Sequence, residues 1–243
     1  MKALVLAAGM GKRLHSNINK CMVNINGMSL WERLVLAFKM ADITNVIVVT
    51  GYHANELEDY ILQHSPEINV CFVRNSDYEK TNNIWSLYLT YPYIDEDIIL
   101  LESDLIFEEN IIKDLCECPF PNVAVLSKMQ SWMDGTTVCL KDKYIEEIVP
   151  KNEMMNHDFS TLYKTVNIYK LSMNFLKSKY FPALSKYISE HGKDEYYEMV
   201  LKKMVVEETE LLIGLELTSR WYEIDTIEDL KRAESLFVGG ELS

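Results

Sequence analysis

Short apolar runs rich in β-branched residues recur along this 243-residue chain, spaced so that one helix fits between each pair. Residues 3–7, 46–50, 69–73, 98–101 and 123–126 are such runs, and near-continuous apolar strands of this kind are buried on both faces. Between them, 55–63 and 108–116 read as helices, another starts at about Asn83, and Ser29-x-x-Glu32 is a capping box that predicts a helix to about Met40. The alternation predicts an α/β fold with a mixed, mostly parallel sheet covered on both sides. After Ser127 the pattern changes. Residues 136–140, 144–149 and 165–169 predict a smaller antiparallel subregion, within about 128–215, that covers the mouth of the sheet. Helices follow at 183–189 and 195–206, then strands at 211–215 and 221–224, and Thr226-x-x-Asp229 starts a terminal helix. No Ser- or Pro-rich stretch interrupts the chain, so one continuous domain over 1–243 is expected.

Charge is distributed unevenly. The formal net charge is −13, yet Lys2, Lys12, Arg13 and Lys20 precede the first acid, Glu32. Three of these cations follow the first strand, in Leu6-Ala7-Ala8-Gly9-Met10-Gly11-Lys12-Arg13-Leu14 and at Lys20. An apolar strand opening into a glycine loop with cations suits a triphosphate, because glycines let backbone N–H groups approach the oxygens and the side chains neutralise them. The run lacks the Gly-Lys-Ser/Thr of a P-loop. Leu14 stands where a dinucleotide fingerprint needs its third glycine.

Other classes are disfavoured by composition. An acidic chain without a basic stripe does not suit nucleic acid, and no apolar run approaches the length of a membrane span. The five cysteines are odd in number, and Cys116-x-Cys118 has the wrong spacing for zinc. Free thiols in a reducing, cytoplasmic setting are expected.

A triphosphate site of this kind needs a hard cation, which takes carboxylates and phosphate oxygens. Asp104, after the strand at 98–101, and Asp225, before the terminal helix, stand at strand ends where open α/β sheets bind ligands. Two such acids side by side would repel one another without a metal.

Together the glycine loop, Lys20, Ser103-Asp104 and Trp221-Tyr222-Glu223-Ile224-Asp225-Thr226 resemble the Rossmann-like nucleotidylyltransferases across essentially the whole chain. That signature reads Leu-Ala-Ala-Gly-x-Gly-x-Arg-Leu followed by Pro-Lys, and Asn19 stands at the proline. Within the group the chain is most similar to cytidylyltransferases acting on small phosphonates or phosphate esters, such as 2-aminoethylphosphonate and phosphocholine. Tyr78-x-x-Thr81-Asn82-Asn83-x-x-Ser86-Leu87, Lys164-Thr165-Val166-Asn167-Ile168-Tyr169-Lys170 and Glu195-Tyr196-Tyr197-Glu198 carry that likeness. The resemblance implies a three-layer fold and Mg²⁺ held by Asp104 and Asp225. It implies CTP bound by Leu6, Ala7, Ala8, Gly9, Gly11, Lys12, Arg13, Thr81, Asn83, Ser86 and Ser103. Asn83 is equally suited to capping a helix. Lys20, Arg13 and Lys164 are the expected catalytic cations, with Lys164 and Asn167 on the acceptor.

Trp132, Asp134, Tyr196, Tyr197 and Glu198 offer aromatic faces and acids that suit an ammonium group, although such aromatics are equally core residues. The expected reaction releases pyrophosphate and gives a CDP-linked headgroup for surface polysaccharides or lipids. A phosphoglutamine acceptor, a sugar 1-phosphate and a non-catalytic nucleotide sensor remain alternatives. The short Arg13 to Lys20 step and Ile148-Val149-Pro150-Lys151, which is not Glu-Lys-Pro, weigh against a hexose. A homodimer is left open.

Overall fold

A computed structural model describes residues 1–14, 18–208 and 211–238. In chain order it contains β1 (Lys2–Ala7), β2 (Asn24–Ile25), β3 (Met28–Ser29), α1 (Leu30–Met40), β4 (Asn45–Thr50), α2 (Ala54–His64) and β5 (Asn69–Arg74). Next come α3 (Asn83–Leu89), β6 (Ile98–Glu102), β7 (Leu105–Phe107), α4 (Asn110–Glu117), β8 (Val123–Lys128), β9 (Thr137–Lys141) and β10 (Tyr144–Val149). The chain continues through β11 (Tyr163–Leu171), α5 (Met173–Phe175), α6 (Phe181–His191), α7 (Glu198–Glu207), β12 (Ile213–Glu216), β13 (Trp221–Glu223) and α8 (Ile227–Leu236). The fold is α/β with a mixed sheet, as the alternation predicts. Among the described residues no helix is long and apolar enough to cross a membrane.

The residues form two compact units, Met1–Glu79 with Glu102–Glu117 and Ser219–Ser243, and Lys80–Leu101 with Cys118–Thr218. One division falls within β6, and none falls in a linker, which is why composition alone suggests a single continuous domain.

In the first unit β4 lies between β5 and β1, all parallel, with Ala3 opposite Val46 and Asn45 opposite Asn69. After its first residue β1 is wholly buried, so its apolar run fills both faces. Helix α1 begins at the expected capping box and buries Trp31, Leu34 and Phe38. Two elements were not foreseen. A two-residue hairpin joins β2 to β3 through Asn26 and Gly27, both at positive φ. An antiparallel ribbon pairs β7 with β13, with Glu223 opposite Leu105 and Trp221 opposite Phe107. Ile106, Tyr222 and Ile224 pack there with Leu14, Val23, Ile25 and Leu30, and α8 closes the cluster through Ala233. Helix α4 starts at Asn110 rather than 108, because Glu108 is bound by Arg220 through both backbone and side chain.

In the second unit the strand order is β6-β11-β8-β12-β10-β9, and β9 also pairs with β11, so five strands close on themselves. Strand β12 is parallel to β8, whereas β11 is antiparallel to β6, β8 and β9. The antiparallel share is larger than alternation alone suggests, because a hairpin and short turns, not a crossover helix, connect β8 to β11. Helix α7 starts at Glu198 rather than 195, since Lys193 O, Glu195 O and the Tyr197 N–H are bonded to the start of α3.

Candidate active site

The glycine loop leaves β1 at Ala7 and returns in a short turn at Lys12–Leu14. Gly11 sits at φ 56°, where a Cβ would lie 2.9 Å from Lys20 Cγ. The loop is therefore shaped around the lysine stem. Asn19, at the position where the resemblance has proline, has φ −63°, close to the value proline imposes. Its buried side chain donates to Ala7 O at 3.0 Å and Tyr52 O at 3.3 Å and accepts from the Cys21 N–H at 3.0 Å. Asparagine thus keeps the backbone direction and adds a tie between the loop and Lys20. The sequence reading missed this role, although an amide just before the cation was its visible signal.

Lys20 Nζ donates to Asp104 Oδ2 at 2.8 Å and to Asp225 Oδ1 at 2.5 Å. Arg13 Nη2 donates to the other Asp225 oxygen at 2.7 Å. The two acids, distant in sequence, meet because they stand at the same end of the β7/β13 ribbon, where the Ile224 N–H also bonds Asp104 O. The expected mutual repulsion is thus offset by the lysine between them. Burial alone would lower the Lys20 pKa, but Asp104 and Asp225 outweigh it and hold the ammonium above its ordinary value. Ser103 is buried, and its N–H bonds Leu6 O, which fixes the start of the acidic turn against β1.

The donor set fits a hard cation. Asp104 Oδ1 is buried and has no hydrogen-bond partner among the described residues, and carboxylates of Glu102, Asp104 and Glu223 lie within 4.8 Å of one another. All are oxygen ligands, as Mg²⁺ requires. Glu102 and Glu223 were not foreseen as ligands; each stands two residues before one of the two nominated aspartates.

Two predictions arise here. Gly11→Ala forces a left-handed residue that costs about 1–2 kcal/mol and pushes against Lys20. Turnover should fall on the order of 10²-fold, as for a misplaced catalytic group, with a lower unfolding midpoint. Unchanged kcat would separate the loop from Lys20. The second concerns Cys21, whose thiol is fully buried and pushed well up by burial, with Asp104 adding to the shift. In the unfolded chain that thiol ionises near ~8.5. A folded pKa raised above the unfolded value gives stability that is complete below ~8.5 and is lost as pH rises further. Unfolding midpoints measured across alkaline pH should fall less steeply in Cys21→Ala; equal slopes would contradict the assignment.

In the second unit Asn82, not Asn83, caps α3, and Asn83 Oδ1 accepts from the Tyr197 N–H at 3.0 Å. The capping reading of Asn83 is therefore corrected: its neighbour does that work, and Asn83 orders the turn before α7. Ser86 is buried on α3, and Thr81 is half-buried just before the cap. Lys164 is buried in β11, with Nζ donating to Thr165 O at 2.7 Å, and a Cβ on Gly135 would lie 3.3 Å from that nitrogen. Asn167 stands at φ 59° in the register shift between β11 and β8, a left-handed position that asparagine tolerates better than most residues. Thr165 Oγ1 donates to Asn167 Oδ1 at 3.1 Å.

The aromatic set divides. Trp132 is 40% exposed, with Nε1 donating to Gln130, Tyr196 is exposed, and Asp134 pairs with Lys151 at 2.6 Å. Tyr197 is 0% exposed and packs edge-on against Tyr169, and Tyr180 OH donates to its carbonyl. Its ring is packed in the core, the other reading open to such an aromatic. Glu198 is also buried, and its charge, after burial itself, raises the Tyr180 pKa.

Residues 3–203 match the model of the MobA-like NTP transferase domain. Relatives include the CMP-5'-(3-aminopropyl)phosphonate synthase of Streptomyces rubellomurinus, 24% identical over 98% of this chain. The chain spans only 39% of that protein's length. The CTP:phosphoglutamine cytidylyltransferase of Campylobacter jejuni is 24% identical, covering 95% of this chain and 98% of the relative. The choline-phosphate cytidylyltransferase of Streptococcus pneumoniae is also 24% identical, covering 97% and 98%. The solved CTP:phosphocholine cytidylyltransferase from Streptococcus pneumoniae superposes with a TM-score of 0.79 at 22% identity, over 97% of this chain and 98% of that one. A UDP-glucose pyrophosphorylase complexed with UDP-glucose superposes at 0.80 and 17% identity, over 97% of both chains, so the likeness of fold spans different acceptors. With the match covering most of its length, the chain belongs to the family of MobA-like NTP transferase domains and is a nucleotidyltransferase domain.

Proposed function

We propose that this domain is a Mg²⁺-dependent cytidylyltransferase that transfers CMP from CTP to a small phosphonate or phosphate ester. The observation that carries the reading is the Lys20 ammonium held between Asp104 and Asp225 beside the glycine loop, with Arg13 on the second acid. An acceptor oxygen attacks the α-phosphorus of CTP in line, the bond to the β-phosphate bridging oxygen breaks, and pyrophosphate leaves. A phosphate ester, with a second pKa near ~6, is already ionised at neutral pH and needs no general base. The difficulty is repulsion between anions, so positioning and charge neutralisation carry the rate.

In this reading Asp104 and Asp225 would hold Mg²⁺, and the Glu102 and Glu223 carboxylates, close to that of Asp104, would add negative charge. The metal would neutralise charge developing on the phosphates. Lys20 neutralises the triphosphate, and its raised pKa keeps it charged through the neutral range. Arg13 is largely exposed and free to swing from Asp225 to a phosphate. Backbone groups of Leu6, Ala7, Ala8, Gly9 and Gly11, with Lys12 and Ser103, make up the proposed CTP contacts of the first unit; Thr81, Asn83 and Ser86 are the nucleotide contacts that the sequence likeness adds. Lys164 and Asn167 take the acceptor's phosphoryl oxygens.

Two relatives are named for acceptors with an amino or choline group, and Trp132, Asp134 and Tyr196 supply the exposed ring faces and acid that suit one. At this exposure a cation–π contact contributes about 0.5–1 kcal/mol, or roughly 2–5-fold in specificity. The test compares kcat/KM for 2-aminoethylphosphonate, phosphocholine, a hydroxyethyl analogue, phosphoglutamine and a sugar 1-phosphate, each with CTP and ATP. The ammonium acceptors and CTP should lead, and Trp132→Ala should narrow the preference by that factor. A leading sugar phosphate, or indifference to the ammonium in wild type, would overturn the acceptor assignment.

A further inference from the structure

Three side chains of the second unit outside the proposed acceptor residues converge on one point. Cys139 on β9 and Glu147 on β10 are cross-strand partners, an alignment produced by the register shift between Ile145 and Glu147. Without that shift Glu146 would stand opposite the thiol. His157 follows the short turn Lys151–Asn156 and comes back onto the hairpin. Its Nδ1 lies 3.8 Å from Cys139 Sγ, and its Nε2 lies 3.7 Å from Glu147 Oε1. One ligand atom from each residue falls within 4.8 Å of the others, and all three side chains are half-buried.

Thiol, imidazole and carboxylate are the ligand types of zinc, and Zn–S near 2.3 Å with Zn–N and Zn–O near 2.0–2.1 Å implies tetrahedral ligand separations of about 3.3–3.6 Å. The 3.8 Å and 3.7 Å distances belong to different nitrogens of the one imidazole, of which an ion takes a single one, and with one ligand atom from each residue already within 4.8 Å of the others, small side-chain rotations bring the three donors to that range. A soft thiolate and an imidazole do not suit Mg²⁺, which keeps this cluster chemically distinct from the Asp104 and Asp225 set.

We propose that Cys139, Glu147 and one imidazole nitrogen of His157 form a binding site for Zn²⁺ or a similar borderline divalent ion, with a fourth position open to water. The ion would fasten the β9/β10 hairpin to the turn that follows it. The donor set, not the proposed transfer reaction, supports this site, and activity does not enter its test.

The full chain, stripped with a chelator, is titrated with Co²⁺ and then Zn²⁺. Co²⁺ should give a thiolate-to-metal charge-transfer band that Zn²⁺ displaces. Zn²⁺ at about 100-fold above its Kd should raise the unfolding midpoint by roughly 5–10 °C. Cys139→Ser and, separately, His157→Ala should weaken Zn²⁺ binding more than about 10²-fold, since losing an outer-shell partner alone costs 10–100-fold. On the wild-type protein, Zn²⁺ should slow alkylation of Cys139, mapped by peptide mass, while Cys71, Cys116 and Cys118 serve as internal controls. The proposal is overturned by absence of the band, by a band that survives Cys139→Ser, or by alkylation of Cys139 that Zn²⁺ leaves unchanged. The alkylation result stands on wild-type protein even if a variant fails to fold.

Discussion

Asp104→Asn and Asp225→Asn are each expected to abolish Mg²⁺-dependent pyrophosphate release. Each substitution keeps the shape of the side chain and removes half of the negative charge that the proposed metal site supplies at its centre. The buried Asp104 Oδ1, without a hydrogen-bond partner among the described residues, makes that acid the more sensitive of the two. Neither variant should be more stable than wild type: Lys20 and Arg13 pair with the two acids, so each substitution gives up an ion pair along with any repulsion it relieves. Full turnover in either variant at ordinary Mg²⁺ would contradict the two-ligand assignment, and the assay should be paired with an unfolding midpoint to show that the fold is intact.

Lys20→Ala is expected to lower turnover at least about 10²-fold, the range for removing one stabiliser of transition-state charge. It should also lower the unfolding midpoint in the absence of metal. The side chains of Lys20, Asp104 and Asp225 are only 14%, 13% and 21% exposed, so removing the cation leaves two little-hydrated carboxylates facing each other. The same geometry gives a readout independent of activity. The ammonium and a divalent ion compete for the same two carboxylates, so Mn²⁺, followed by its paramagnetic signal, should bind nucleotide-free Lys20→Ala more tightly than nucleotide-free wild type. Weaker binding in the variant would mean that Lys20 does not occupy the metal's position.

Most of this architecture was legible because its signals are local. The apolar strands at β1, β4 and β6 and the capping boxes at Ser29 and Thr226 each specify their own conformation, and the structure has them where the pattern puts them. The Asn26-Gly27 hairpin was equally local and went unread, although Asn-Gly is a strong two-residue turn signal. The β7/β13 ribbon is different. Leu105–Phe107 is too short to announce a strand, and only its pairing with Trp221–Glu223 makes it one. That nonlocal pairing also unites Asp104 with Asp225, so the sequence could nominate each acid but not their shared contact with Lys20.

The late starts of α4 and α7 have the same cause, since tertiary bonds to Arg220 and Asn83 outcompete another helical turn. Tyr197 shows the limit on the acceptor side. Tyr196 and Tyr197 are adjacent and identical in type, yet one is exposed and the other fully buried, a difference fixed by the turn that Asn83 holds.

The central claim is transfer of a cytidylyl group, and ³¹P NMR of a reaction holding the domain, CTP, Mg²⁺ and 2-aminoethylphosphonate or phosphocholine tests it most directly. The account predicts that CTP is consumed only when acceptor and Mg²⁺ are both present, with pyrophosphate and a new P–O–P resonance linking cytidine 5'-phosphate to the acceptor growing in equal amounts. CTP that binds but stays intact with every phosphorylated acceptor would contradict it and leave a nucleotide-binding domain without the transfer.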